Sequence, residues 1–343
     1  MESDNLISKV KVEKNQLKSI DKFNNIKSKY IIIKVFKNLK KEKTLNIVKY
    51  NENIKRRINI NINDYKEYSE KYSLIEIEIK PVSKKYGKFI NNEEEIYYHI
   101  YFNNNEEEIK RNYINEDEEI KIIRIKIDYQ VKSFEKLFYL CKCIESINFK
   151  KFYRNNINNM NLMFCGCSSL KELNLNNFNT KNVTYMGGMF YGCSTLKELN
   201  LYNFYTNNVT YMRGMFYGCS SLKKLNINNF NTNNVTNMHG MFYECSSLKE
   251  LNLNNFNTNN VTDMGDMFYE CSSLKELNLY NFYTNNVTGM ARMFCGCSSL
   301  KELNLSNFNT NNVTHMYSMF YRCSNDLIMK IRTQYKNIGG KAF

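Results

Sequence analysis

One residue pattern, repeated every 26 positions, dominates the second half of the chain. Eight cysteines, each 26 residues after the previous one, run from Cys141 to Cys323. Leucine columns keep the same step from Leu170 to Leu300 and, with one isoleucine, from Leu175 to Leu305. Self-similarity at a fixed period indicates a repeat architecture, because each copy needs its neighbours to cover its apolar side. The chain is therefore expected to fold as a stack of similar units.

Within one copy, residues 170–175 have the L-x-x-L-x-L spacing of a leucine-rich repeat. This spacing predicts a short strand over 172–176 with Leu173 and Leu175 turned inward, because alternate residues of a strand share a face. Asparagines follow the strand, and asparagine makes turns because its side chain bonds to its own main chain.

The apolar side chains of residues 183–193 then recur at steps of three, three, one and three. That spacing predicts one face of a short helix, with Asn182 or Thr184 as its N-cap. The chain is therefore predicted to be an α/β leucine-rich-repeat solenoid of strand-plus-helix units. Because strands stack about 4.8 Å apart and helices about 8–10 Å apart, its parallel sheet is expected to curve with the strands inside.

The repeats extend over about 137–323, and the segments on either side are predicted to cap them. Terminal units of a repeat array are atypical because one face has no neighbour. The apolar run 120–127 is the expected entry cap, and the residues after 323 are the expected exit cap. The predicted domains are a basic polar tail over 1–28, a small β-rich α+β domain over 29–118, and the solenoid with its end caps over 119–343.

The N-terminal third contains short runs that alternate or cluster β-branched residues. Strands are predicted over 30–36, 58–62, 75–79 and 96–102. In these runs isoleucine either recurs at every second position or clusters with other residues that favour strands. Residues 63–72 open like a capped helix and place tyrosines on one side. No known domain type accounts for this region.

The columns that barely change from copy to copy define the expected core. In one central unit these residues are Cys193, Leu196, Leu199, Leu201, Phe204, Val209, Met212, Met215, Phe216 and Cys219. Variation concentrates on the outer helix positions, while tyrosines break the asparagine pattern after two strands. The candidate partner-binding residues are Tyr202, Tyr205, Arg213, His239, Tyr280, Tyr283, Arg292 and His315.

The formal net charge is +14, but lysine and glutamate are neighbours in most copies, so the charge is diffuse. A diffuse charge favours a soluble basic surface over a nucleic-acid site, which is kept as a third function. The N-terminus has no apolar core of signal-peptide type, and no run reaches the roughly 18–20 apolar residues of a transmembrane helix. The expected location is cytoplasmic, with the cell surface or secretion as the alternative.

Residues with the chemistry of catalysis or metal binding are few. The three histidines occupy unrelated phases, and no nucleophile–base pair or phosphate loop is present, so no enzyme activity, small-molecule substrate or cofactor is expected. The cysteine column is interpreted as buried thiols, and the pairs such as Cys165-x-Cys167 lack the C-x₂₋₄-C spacing of zinc sites. Six Asn-Val-Thr sequons are interpreted as turn and cap residues.

The blocks C-S-S-L-K-E-L-N-L and N-V-T-x-M-x-x-M-F, in units such as 189–199 and 241–264, closely resemble the BspA-like leucine-rich-repeat family of surface proteins. The resemblance covers roughly residues 137–323. It implies a repeat scaffold, and in bacterial members typically a cell-surface protein that mediates adhesion. The leading hypothesis is a non-enzymatic scaffold that binds a protein partner, with a surface or secreted adhesin as the alternative.

Overall fold

A computed structural model describes residues 26–39, 41–49, 51–92, 95–128 and 130–343. The chain divides into two compact units, Met1–Tyr72 and Ser73–Phe343. The boundary expected between 118 and 119 therefore falls at 72/73 instead. Residues 1–25 of the predicted basic tail lie outside the described residues.

The first unit is helical where strands were predicted. Its helices are α1 (Lys29–Lys37), α2 (Lys41–Val48), α3 (Glu52–Arg57) and α4 (Ile62–Tyr72). The predicted strand over 30–36 is wrong, because Ile32 and Phe36, four residues apart on α1, pack into a small core with Val48 and Ile54. Tertiary burial of one helical face thus overrides the β preference of the isoleucine run.

The predicted strand over 58–62 is also wrong, whereas the helix predicted from residue 63 is present as α4. The Asn61 amide oxygen accepts a hydrogen bond from the Asn63 N–H (2.8 Å), and the Asp64 carboxylate accepts one from the Asn61 N–H (2.9 Å). This reciprocal cap fixes the start of α4 at Ile62, directly after Asn61.

The second unit is mixed α/β with short strands. Its strands are β1 (Ile75–Pro81), β2 (Gly87–Lys88), β3 (Tyr98–Phe102), β4 (Tyr113–Ile114), β5 (Ile123–Ile127), β6 (Ile144–Lys151), β7 (Glu172–Asn174), β8 (Glu198–Asn200), β9 (Lys224–Asn226), β10 (Glu276–Leu277) and β11 (Glu302–Leu303). One helix, α5 (Asn325–Gln334), follows the last repeat, and 3₁₀ turns cover Glu95–Tyr97 and Gly340–Ala342.

The β-rich segment after residue 73 shares a sheet and a core with the first repeats. The sheet order is β3-β5-β1-β6-β7, antiparallel except for the parallel β6–β7 pair. The strand expected over 120–127 is β5, but β1 is the strand that pairs with β6 of the first repeat. Arg154, which is fully buried, donates to the carbonyls of Asp128 (2.9 Å) and Val131 (3.3 Å) and so ties this sheet to the repeats. A domain boundary near 118 would cut this common core.

The predicted helix in each repeat is wrong. In residues 186–192 every second N–H donates to a carbonyl of the next repeat: Met186 to Tyr211 (3.2 Å), Gly188 to Arg213 (2.8 Å), Phe190 to Met215 (2.9 Å) and Gly192 to Tyr217 (2.6 Å). The N–H groups of Met189 and Tyr191 instead close four-residue turns onto the carbonyls of Met186 (3.3 Å) and Gly188 (3.0 Å), and Gly188 and Gly192 have positive φ. A helix would need those N–H groups for its own turns. Within residues 130–343 no helix lies between the strands of successive repeats. The difference between helix spacing and strand spacing therefore no longer predicts a curved sheet.

Consecutive repeats are paired in parallel, in register, from one end to the other. Isolated parallel bridges join Ser133, Asn159, Tyr185, Tyr211, Asn237, Asp263, Gly289 and His315 in sequence, each 26 residues after the last. The ten predicted core residues are all buried, and only Leu199 reaches 3% exposure. Leu175, expected to face inward, is buried, whereas Leu173 is only half-buried. Leu225 in the column of Leu173 is also half-buried, but Leu199, Leu251, Leu277 and Leu303 of that column are buried.

The segment after 323 covers the last repeat. Ser318 and Phe320 donate to the carbonyls of Lys341 (2.9 Å) and Ala342 (2.8 Å), and the Phe320 ring stacks on Phe343 at 5.5 Å. Leu327 and Ile331 of α5 are buried in the common core. No helix within the described ranges combines the length and the apolar character needed to cross a bilayer.

Candidate interaction surface

A column of buried threonines fixes the spacing of the repeats. Thr180, Thr206, Thr232, Thr258 and Thr284 are fully buried. The Thr232 hydroxyl donates to the Asn257 carbonyl (2.8 Å) and accepts from the Asn257 N–H (2.7 Å), and Thr180, Thr206 and Thr284 make the same pair of bonds. Each hydroxyl thereby satisfies a donor and an acceptor of the next repeat, which holds the backbone after the strand in one position.

Asparagines supply the turns and a second set of links between repeats. Asn174 and Asn226 accept hydrogen bonds from the N–H two residues further on, at 3.0 and 3.3 Å, which confirms the predicted asparagine turns. The sequon asparagines have another role. Asn208 and Asn234 donate from the side-chain nitrogen to the carbonyls of Lys181 and Asn207 in the preceding repeat, both at 2.6 Å.

The cysteine column is built from hydrogen-bonded thiols. From Cys167 onward, each thiol of the column donates to a phenylalanine carbonyl of the preceding repeat, for example Cys219 to Phe190 (3.2 Å) and Cys271 to Phe242 (3.1 Å). All eleven cysteines are free and buried. Burial raises the pKa of the Cys219 and Cys271 thiols to about 12, so these groups are inert thiols at neutral pH.

The thiol column makes a prediction about alkaline stability. The neutral thiol is favoured in the folded chain, so its contribution to stability is complete below the ordinary pKa of 9.0 and is lost as pH rises toward 12. We expect the free energy of unfolding in urea to fall steadily above about pH 9, and more steeply than in a Cys219→Ala, Cys271→Ala variant. A curve with equal slopes for the two proteins would contradict this assignment.

Exposed tyrosines stand on one edge of the stack, just after the strands. Tyr202, Tyr205, Tyr280 and Tyr283 are 49%, 53%, 60% and 41% exposed. Their main chains are held by the neighbouring repeats: the Tyr205 N–H donates to the Thr180 hydroxyl (2.8 Å), and the Tyr283 carbonyl accepts from the Thr258 hydroxyl (2.8 Å). The backbone is thus fixed while the rings remain available.

Tyr153 belongs to the same edge and was missed by the sequence analysis. It is 51% exposed and lies two periods before Tyr205. The first repeat is degenerate, which hid the match, but the 52-residue interval to Tyr205 would have revealed it. Tyr153, Tyr205 and Tyr283 are called the tyrosine edge below.

The other candidate partner-binding residues lie in the segments equivalent to 185–192 of each repeat, which are called the turn segments below. The structure brings only two of these residues together. His239 Nε2 is 3.5 Å and the Arg292 guanidinium 2.8 Å from the buried Asp266 carboxylate. Arg213 and His315 are exposed and do not join this cluster. Asp266 was not foreseen, although it stands in the column where Gly188, Gly214 and Gly240 precede it, and like them it has positive φ (57°).

The turn segments also carry a stack of four tyrosine rings. Tyr191, Tyr217, Tyr243 and Tyr269 lie parallel, with ring centroids 4.3, 4.0 and 4.4 Å apart. Burial, followed by the neighbouring tyrosines, raises the pKa of Tyr191 and Tyr217 to about 12. Because the rings cover one another, this stack joins the repeats and offers a partner mainly ring edges.

Side chains suited to a metal ion do not converge in the part of the chain that the structure describes: His, Cys, Asp and Glu nowhere gather in a group of three or more that could hold one.

A comparison with protein-family models finds one described as a Mycoplasma protein of unknown function, DUF285, which matches residues 132–251 and 220–330. The two matches together run from residue 132 to residue 330, more than half of the chain. The chain belongs to the DUF285 family.

The DUF285 match begins at residue 132, beside Ser133, where the parallel bridges between repeats start, and ends inside α5. The family model therefore describes the repeats and not the first unit or strands β1–β5. No curated protein and no solved structure matches the chain.

Proposed function

We propose that this DUF285 chain is a leucine-rich-repeat solenoid that acts as a non-enzymatic scaffold and binds a protein partner through the tyrosine edge. The observation that carries the proposal is the exposure of Tyr153, Tyr205 and Tyr283, together with the hydrogen bonds from adjacent repeats that hold the main chain of Tyr205 and Tyr283 in place. We also propose kinship with the BspA-like family, which the C-S-S-L-K-E-L-N-L and N-V-T-x-M-x-x-M-F blocks support.

The solenoid part of the proposal is supported by the pairing of neighbours. Three kinds of contact connect one repeat with the next. They are the parallel bridges at intervals of 26 residues, the hydrogen bonds of the buried threonine hydroxyls, and the hydrogen bonds from cysteine thiols to carbonyls. Such arrays gain their core by stacking, and they present a long surface to partners.

Exposed tyrosines favour a protein partner for an energetic reason. Tyrosine combines a large apolar ring with a polar hydroxyl, and it is among the residues that contribute most to protein interfaces. A ring whose main chain is already fixed loses little further freedom on binding, which leaves more of the contact energy for affinity. Lys181 lies over the Tyr205 ring at 5.4 Å and adds a positive charge beside it.

A non-enzymatic role is supported by the state of the reactive groups. The cysteine thiols are buried and protonated at neutral pH, and His239 faces Asp266 and Arg292, with no nucleophile in that cluster. General base catalysis needs a base within hydrogen-bond reach of the group it deprotonates.

The proposal predicts that replacing Tyr153, Tyr205 and Tyr283 by alanine abolishes partner capture without loss of stability. The full chain would be used as bait in the cells that produce it, and each captured protein would then be purified for direct titration. Loss of three interface tyrosines should weaken binding at least about a hundredfold.

A matched control replaces Tyr185, Tyr317 and Tyr321, which are 51%, 51% and 57% exposed but lie on the turn segments. This triple variant should bind like the original chain. If the control triple loses the partner and the tyrosine-edge triple keeps it, the partner uses the turn segments and the proposed surface is wrong.

A further inference from the structure

A groove crosses the outward faces of the repeat strands. Its cavity of about 730 Å³ is lined by side chains from Leu173 to Asn278, which belong to five successive repeats. A second cavity of about 440 Å³ shares Leu173 with it and continues over β6 to β1. The volume is within the range of small-ligand sites, and the continuation over further strands suits a linear molecule that is longer than one such ligand.

Eleven of the fifteen residues that line the groove are polar or charged, and the other four are leucines. Asn226 and Asn252 each accept a backbone N–H with the amide oxygen, at 3.3 and 3.0 Å, which leaves the amide nitrogen with two donors. Asn252 uses one of these donors toward the Asn228 side chain (3.1 Å). The groove therefore offers rows of amide donors and amide or carboxylate acceptors that suit a ligand rich in hydroxyl groups.

The groove carries charges of both signs, from three glutamates and two lysines. Glu198 pairs with Lys224 at 2.7 Å. Glu250 and Glu276 are each followed, two residues later in the chain, by an asparagine that also lines the groove. This arrangement complements an uncharged ligand, because a polyanion would meet the glutamates and a polycation the lysines.

The spacing of these groups selects among uncharged polymers. Equivalent side chains recur at the strand spacing of about 4.8 Å, whereas an extended peptide advances about 3.3 Å per residue and falls out of step. One pyranose ring of an extended glycan is about as long as the strand step, so each sugar can meet the same pair of columns in successive repeats.

Tyr202 and Tyr280 do not line the cavity itself, but they extend by one repeat in each direction a column of two asparagines that do. They occupy the same column as Asn228 and Asn254, one repeat before the first and one repeat after the second. Tyrosine rings pack against the apolar face of a sugar ring while the hydroxyl stays in water.

We propose that the groove between Tyr202 and Tyr280 binds an extended, uncharged oligosaccharide. This site is separate from the tyrosine edge, because Tyr205 and Tyr283 lie three positions further along the chain, in the column of Asn231 and Asn257, which do not line the groove. The inference therefore goes beyond the proposed function, and either can fail without the other.

The test is isothermal titration of the full chain with cellohexaose and chitohexaose, whose β-1,4-linked rings form extended chains, and with the corresponding disaccharides. Hexaglutamate and a six-residue oligothymidylate are the charged comparison ligands. We expect at least one hexasaccharide to bind, at least about tenfold more tightly than its disaccharide, and neither charged ligand to bind.

A Tyr202→Ala, Tyr280→Ala variant should weaken hexasaccharide binding at least about tenfold. The matched control is Tyr205→Ala, Tyr283→Ala, which removes two rings of similar exposure outside the groove and should leave that affinity unchanged. Thermal melts of both variants would establish that they are folded. The proposal is overturned if neither hexasaccharide binds, if a charged ligand binds instead, or if the two double variants weaken binding equally.

Discussion

Replacement of Leu222 by aspartate is expected to unfold most of the repeat array. Leu222 is fully buried in a central repeat, between the Cys219 turn and β9. A carboxylate there would have neither water nor a cation, and such a buried unpaired charge costs about 4 kcal/mol or more. Because neighbouring repeats depend on each other for their cores, the loss spreads beyond the altered copy.

Leu225→Asp is the matched control for this experiment. It is the same substitution in the same repeat, but Leu225 is half-buried beside the groove and its carboxylate can reach water. Urea unfolding followed by circular dichroism should show a midpoint far lower for Leu222→Asp than for Leu225→Asp. Equal midpoints would mean that the difference in burial between Leu222 and Leu225 does not determine the loss of stability.

Thr232→Val is expected to give the second largest loss of stability. Valine matches threonine in shape but removes the hydroxyl that serves both the N–H and the carbonyl of Asn257. Two partly buried backbone groups then lose their partner, which costs about 2–4 kcal/mol. The change should appear as a lower urea midpoint with little change in the slope of the transition.

Thr236→Val separates the hydroxyl effect from the effect of valine itself. Thr236 is exposed, and its hydroxyl donates to the Thr210 carbonyl at 3.3 Å, where water can take its place. Its loss should cost no more than about 0.5 kcal/mol. If Thr232→Val is as mild as this control, the buried threonine column does not set the spacing of the repeats.

The periodic columns could be predicted from the sequence, because burial repeats with the same 26-residue step as the residues do. The apolar columns of Cys193, Phe204 and Phe216 are buried as their invariance within the chain suggests. The helix within each repeat could not be excluded by apolar spacing alone, since consecutive turns also place Met186, Met189 and Phe190 on one side. The glycines at 188 and 192, four residues apart, were the available signal against a helix.

The first unit shows a different limit. Its isoleucine-rich α1 has the composition of a strand, and only the packing of Ile32 and Phe36 against Val48 and Ile54 makes a helix the better solution. Such contacts join residues far apart in the sequence, so local propensity does not reveal them.

The positions of the residues in the proposed interaction surface could be predicted in part. The exposed tyrosines after the strands were identified because they interrupt a regular asparagine pattern, whereas Tyr153 was hidden by the degenerate first repeat. The grouping of His239 and Arg292 around Asp266 depends on which side chains meet across two repeat boundaries. A comparison of the residues equivalent to Gly188 in each repeat would have drawn attention to Asp266, which stands where the preceding repeats have glycine.

The hydrogen bonds between repeats connect each copy only with the one before and the one after it. The Thr232–Asn257 and Cys219–Phe190 hydrogen bonds join adjacent repeats only, so they do not depend on the number of copies in the array. Gain or loss of one whole 26-residue unit, as unequal recombination between near-identical stretches of coding DNA produces, would leave every junction chemically unchanged. Groove length and the distance between Tyr202 and Tyr280 can then evolve in discrete steps, while the fold remains the same.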